Sequence, residues 1–100
     1  MFRELDPILH SQARLVIMSV LIGVKSAEFS FLLEMTQMTK GNLSFQLSKL
    51  GDCNYVSLHK TKKGNYPLTV CTITDNGRKA YADYVEAIEH YFNGFKKAKK

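Results

Sequence analysis

A chain of 100 residues with 45% hydrophobic and 11% aromatic side chains is long enough for one domain with one core, and too apolar to be disordered. Its net charge of +5 is uneven: residues 1–40 sum to zero, whereas residues 41–80 carry six basic side chains against Asp52 and Asp75. That distribution suits a polyanionic partner, and solubility alone is also served by a charge of this size.

The apolar run Leu15 to Val24 is broken by Ser19 and Gly23. It is too short to span a bilayer and lacks the flanks of a secretion signal, so no membrane association is expected. Cys53 and Cys71 form no C-x-x-C pair. The expectation is a reduced, cytoplasmic chain with two inert thiols.

In chain order, Asp6-Pro7 predicts a helix start, with Ser11 as a second cap. The helix over Leu15–Ile22 is apolar on nearly all sides, so it lies in the core or partly in a subunit interface. Gly23 is its expected stop. Ser30 is expected to cap a short helix from Phe31 to Thr36, with Phe31, Leu32 and Met35 facing the core. Gln37-Met38-Thr39 forms a tight link, and Thr39 caps the next helix, which runs to Leu50.

That helix has two unlike faces. Leu43, Leu47 and Leu50 fall at i, i+4 and i+7, a core stripe. Lys40, Asn42, Ser44, Phe45, Gln46 and Lys49 lie off it. Two short helices joined by a tight link, the second with a polar face, form the helix-turn-helix pattern.

Gly51–Asn54 ends the helix, and Asn54 tolerates left-handed geometry. Tyr55–Lys60 alternates apolar and polar as a half-buried strand does, Thr61–Asn65 is a turn, and Tyr66–Ile73 is a second strand. The hairpin tip carries Lys60, Lys62 and Lys63. Thr74 caps a last helix from Asp75 whose apolar stripe is Tyr81, Tyr84, Val85, Ile88, Tyr91, Phe92 and Phe95. This stripe exceeds what one small core needs, so a shared interface between two copies is expected. The tail Lys96–Lys100 is expected to fray.

The order of helix, helix-turn-helix, basic hairpin and long terminal helix resembles the winged-helix transcription regulators of archaea and bacteria in the MarR- and ArsR-like group. The resemblance is carried by Leu5–Ser11 with Arg14-Leu15, by Phe29–Leu32, by Thr39–Ser44 with Leu47–Leu50, and by Tyr55-Val56 followed by Leu68–Thr74 with Gly77-Arg78. It implies an α+β fold, mainly α, with residues 1–100 forming a single winged-helix domain. It also implies a homodimer, with terminal helices at about 5–23 and 75–96 contributing to the pairing. The Thr39–Leu50 helix would enter the major groove of double-stranded DNA, and the Lys60–Asn65 wing would touch an adjacent groove or backbone. Two positions depart from the group: Asn54 stands where a glycine is usual, and Phe45 where a charged or small polar residue is common. The cysteine-rich metal motif and the extra helices of ligand-binding relatives are absent, so no metal, cofactor or small-molecule ligand is implied.

The expected DNA contacts are Thr39, Lys40, Asn42, Ser44, Phe45, Gln46 and Lys49 on the helix, with Lys60, Lys62, Lys63 and Asn65 on the wing. Gln46 is the candidate for adenine readout through its amide. Lys40 and Lys49 suit phosphates, and Phe45 suits either a thymine methyl or a core boundary. Arg78 and Lys79 oppose the dipole of their helix, which hints at phosphate contact. His10, His59 and His90 have no metal-ligand spacing, and no nucleophile–base set shares a cleft, so an enzyme is not expected. Two other functions stay open on the residues alone: a winged helix used as a protein–protein adaptor in transcription or repair machinery, and a basic RNA-binding module.

Overall fold

Helix α1 (Gln12–Val24), strand β1 (Ser26–Glu28), helices α2 (Phe29–Thr36) and α3 (Lys40–Asp52), strands β2 (Val56–Lys63) and β3 (Tyr66–Ile73) and helix α4 (Asp75–Ala98) follow one another along the chain in a computed structural model. The structure describes residues 2–98, with side chains as far as Gly94, so the expectation for the Phe95 side chain lies outside what is described; α4 continues through Ala98, where fraying is expected from Lys96, and Lys99 and Lys100 lie outside the described residues.

The first helix begins later than its Asp-Pro signal suggests. Asp6 caps only one turn: its Oδ1 accepts from Ile8 N at 2.8 Å and its carbonyl from His10 N at 2.8 Å. Ser11 is the true cap of α1, accepting from Arg14 N at 3.4 Å. The helix passes through Gly23 and ends at Val24, with Lys25 taking the stop at φ 71°. Nor is α1 buried on all sides. Ile17, Met18 and Leu21 are fully buried, while Val16 and Val24 are 37% and 46% exposed.

Residues 26–28, for which the sequence suggests no element, add a third strand. The sheet order is β1-β3-β2, antiparallel throughout, and Cys71 on β3 sits between Ala27 and Leu58. Because β1 occupies those residues, α2 starts at Phe29, with Glu28 at the cap and no side-chain cap bond, not at Phe31 behind Ser30. The inward face shifts with it. Only Leu32 is fully buried, Phe29 and Leu33 pack beside it, and Phe31 and Met35 are 40% and 54% exposed. Gln37, at φ 59°, makes the tight link, with its N–H donating to Leu33 O at 3.0 Å.

The core is an apolar cluster in which Leu9, Ile17, Met18, Leu21, Leu32, Leu43 and Leu50 have no exposed surface. Each such side chain stabilises the fold by about 1.5–3 kcal/mol relative to exposure. All of β2 beyond Val56 is exposed, so the outer part of the hairpin stands clear of this core, while Val56, Cys71 and Ile73 at its base belong to it. Its turn is only Gly64-Asn65, with Gly64 at φ 63°, and the strands run out to the pair Lys63 and Tyr66. A two-residue connection with glycine first matches the right-handed twist of its strands. The turn expected over Thr61–Asn65 is thus mostly strand.

The start of α4 is fastened to the end of α3. Thr74 Oγ1 donates to Asn54 O at 2.6 Å and accepts from Gly77 N at 2.9 Å, and Thr74 N donates to Tyr55 O at 3.1 Å. Asn54 takes the left-handed conformation expected of it, φ 61°. A Cβ on Gly77 would stand 2.1 Å from Tyr55 O, so this crossing of backbones requires glycine. Beyond it α4 runs out from the body. The Cα radius of gyration is 15.7 Å, against about 13 Å for a compact 100-residue domain. The N-terminal segment lies along α4: the Phe2 and Tyr91 rings are 5.0 Å apart, Arg3 pairs with Glu86, and Tyr91 Oη donates to Arg3 O at 3.0 Å.

Candidate nucleic-acid interface

The opening of α3 is capped as its sequence requires, with Thr39 Oγ1 accepting from Asn42 N at 3.1 Å. Leu43, Leu47 and Leu50 are turned into the core and are at most 2% exposed. Helical spacing then forces Lys40, Asn42, Ser44, Phe45 and Lys49 outward, and all five are exposed. Phe45 is 55% exposed, so it is a surface residue and not a core boundary. The Lys49 ammonium lies 5.3 Å from its ring centroid, a cation–π pair that covers part of this apolar surface.

Gln46 is half-buried and already partnered at both ends. Its Oε1 accepts from Arg14 Nη1 at 2.7 Å, and its Nε2 donates to Asn42 Oδ1 at 3.0 Å. Arg14 is in turn held by Ile8 O, which accepts from Nε at 2.6 Å. The sequence does not single out Arg14 as a site residue, because its partner Gln46 lies 32 positions away.

On the wing, Lys60, Lys62, Lys63 and Asn65 are all exposed. Lys60 and Lys62 share one face of β2 and Lys63 takes the other, since strand side chains alternate. Arg78 is half-buried, and Lys79 pairs with Asp83 at 3.3 Å one turn along α4.

Of the stripe on α4, Tyr84 is 7% exposed and its Oη lies 2.9 Å from His10 Nδ1, so it belongs to the core of its own chain and not to a surface. Tyr81 and Ile88 pack on the same core, and Tyr81 Oη lies 2.9 Å from Ser19 Oγ. Val85, Tyr91 and Phe92 remain exposed, at 38%, 38% and 66%.

A helix-turn-helix carrying a three-stranded sheet and a wing is the architecture of a known domain type, and residues 13–92 match the model of the winged helix DNA-binding domain family. The chain belongs to the winged helix DNA-binding domain family. This winged helix is 35% identical over 81 residues to an uncharacterized protein of Methanocaldococcus jannaschii, spanning 81% of this chain and 88% of that one. Its fold is similar to a transcriptional regulator homologue from Pyrococcus horikoshii, with 28% identity, a TM-score of 0.82 and coverage of 88% and 87% of the two chains. It is also similar to a MarR family transcriptional regulator from Silicibacter pomeroyi at 18% identity and a TM-score of 0.66. The match covers 81% of this chain but only 54% of that regulator, so the winged helix spans about half its length. The family's model describes a DNA-binding domain.

Two side chains of the winged helix have altered acidity. Burial, followed by the hydrogen bond to Asp6 and its charge, pushes the Tyr55 phenol up to about 12. Burial alone pushes the Cys71 thiol up to about 12, which leaves it a small hydrophobe at neutral pH. Among the described residues no cluster of His, Cys, Asp and Glu could hold a metal, and no helix is long and apolar enough to cross a membrane.

Proposed function

We propose that this winged helix is a homodimeric, sequence-specific regulator of transcription, reading duplex DNA with α3 in the major groove and the β2–β3 wing on adjacent backbone. The observation that carries the reading is the division of α3: three leucines buried, and Lys40, Asn42, Ser44, Phe45 and Lys49 presented together to solvent beside a lysine-bearing hairpin. Asn42 and Ser44 suit base edges, Lys40 and Lys49 suit phosphates, and the Phe45 ring suits a thymine methyl. The exposed Thr39 stands at the end of a helix whose free amides favour a phosphate. Lys60, Lys62, Lys63 and Asn65 supply phosphate contacts on the wing.

Pairing is supported by the apolar surface that one chain leaves uncovered. Val85, Tyr91 and Phe92 lie open on α4, and Val16, Val24, Phe31 and Met35 lie open along α1 and α2. A two-fold axis through the terminal helices would cover such surface and set two reading helices about 34–36 Å apart.

Selection of bound sites from a random duplex pool tests this reading. The expected product is a near-palindrome with half-sites about 10–10.5 base pairs apart centre to centre. A pool that stays random after repeated rounds would leave a protein–protein adaptor as the better description.

A further inference from the structure

We infer that Arg14, on α1, sets the base preference of α3 by dictating which way the Gln46 and Asn42 amides face. The inference rests on α3 being the DNA-reading helix and specifies what it reads. Arg14 is anchored by Ile8 O at 2.6 Å and gives a second donor to Gln46 Oε1 at 2.7 Å. A guanidinium has donors and no acceptor, so Gln46 must turn its oxygen inward to Arg14. Its amide nitrogen then points along the helix to Asn42, and that nitrogen can only donate. Asn42 must therefore turn its own oxygen back to receive it, at 3.0 Å. The direction of every bond in the chain follows from the donor at its root.

The consequence lies at the outer end. Adenine readout by an amide needs oxygen and nitrogen aimed together at N6 and N7. In Gln46 both amide atoms already hold protein partners, so turning the pair onto adenine would have to break or share the bonds to Arg14 and Asn42. Asn42 turns its oxygen back toward Gln46, and among the described residues its Nδ2 donates to no protein group, so the relay ends in a pair of donors. A donor pair complements a major-groove edge made only of acceptors, and guanine, with N7 and O6, is that edge. Adenine and cytosine place an amino group there and are disfavoured. Arg14 touches no base, so it is a positioning residue.

The test uses duplexes carrying the selected half-site with each of the four base pairs at the position whose preference Asn42→Ala relaxes. Fluorescence anisotropy gives the affinity ratio between them for the whole chain, and a random duplex gives the non-specific background. For the unsubstituted protein, guanine should exceed adenine at that position by about tenfold, within the range for one well-placed amide contact. Arg14→Lys, still a donor only, should keep that order. Arg14→Leu frees Gln46 to turn over, and the preference should collapse to less than about twofold or move to adenine, while binding to random duplex and its salt dependence stay unchanged. Gln46→Glu reaches the same relay without touching α1: glutamate cannot donate to Asn42, and the guanine preference should again be lost. A guanine preference that survives both Arg14→Leu and Gln46→Glu overturns the inference while leaving α3 as the reader. Adenine preference in the unsubstituted protein overturns it as well, and absence of binding to any duplex overturns the DNA-reading role itself.

Discussion

Gly77 is a residue whose identity is forced by a backbone and not by a turn. Any Cβ there would collide with Tyr55 O, so Gly77→Ala should destabilise the chain by about 1–3 kcal/mol, read as a lower urea midpoint at unchanged slope. Tyr55 and Cys71 govern the alkaline limit. Both fold in their protonated forms, with pKa values pushed up from 10.0 and 9.0 to about 12. Their contribution is fully present below about pH 9 and is lost as pH rises from 9 through 12, because the unfolded chain releases those protons first. Urea midpoints should therefore fall progressively above pH 9, and Cys71→Ala should flatten the early part of that fall. Residue types alone made Thr39, Thr74 and Asn54 legible, because caps and left-handed turns have local chemistry. Arg14 was not, because nothing within a helical turn of it signals Gln46.

At the scale of elements, α3 was legible from its cap to Leu50, and the helix runs two residues further than expected, to Asp52. A leucine stripe at i, i+4 and i+7 admits one inward face, and Leu47→Ala should cost about 2–5 kcal/mol in unfolding experiments. Strand β1 was not legible: three residues show no periodicity, and their pairing with β3 spans more than 40 positions. Without it, the local pattern displaces α2 by two residues and puts Phe31 and Met35 inside when they lie outside. The wing was legible as a hairpin but its turn was not. The alternation over Tyr55–Lys60 suggests a half-buried strand that ends there, but both faces of β2 beyond Val56 are exposed, and the polar residues after Lys60 carry no mark of where strand gives way to turn. Its proposed role at phosphates has a separable consequence. Lys62→Glu with Lys63→Glu should leave the thermal midpoint nearly unchanged and reduce the slope of log K against log salt by about 0.9 for each phosphate that the wing no longer neutralises.

At the scale of the whole molecule, the long axis of 63 Å against 25 and 21 Å reflects a terminal helix carried beyond the body it starts from. The aromatic pattern of α4 was legible, but its partition was not, because the same spacing serves a core and an interface. Tyr84 belongs to the first, while Val85, Tyr91 and Phe92 are left for the proposed second. Sedimentation at micromolar concentration should show a species of about twice the 11.4 kDa chain mass, and Phe92→Glu should return it to the monomer without loss of helix. A monomer alone for the unsubstituted chain would remove the dimer and the paired half-sites together.

The charge gathered after residue 40, the polar face of α3 and the lysines of the wing converge on one measurement. Titration of a labelled duplex with the intact chain at two salt concentrations should give binding that weakens steeply as salt rises, with a slope corresponding to several neutralised phosphates. No binding at low salt, or binding indifferent to salt, would contradict the assignment of α3 and the wing as a DNA-contacting surface.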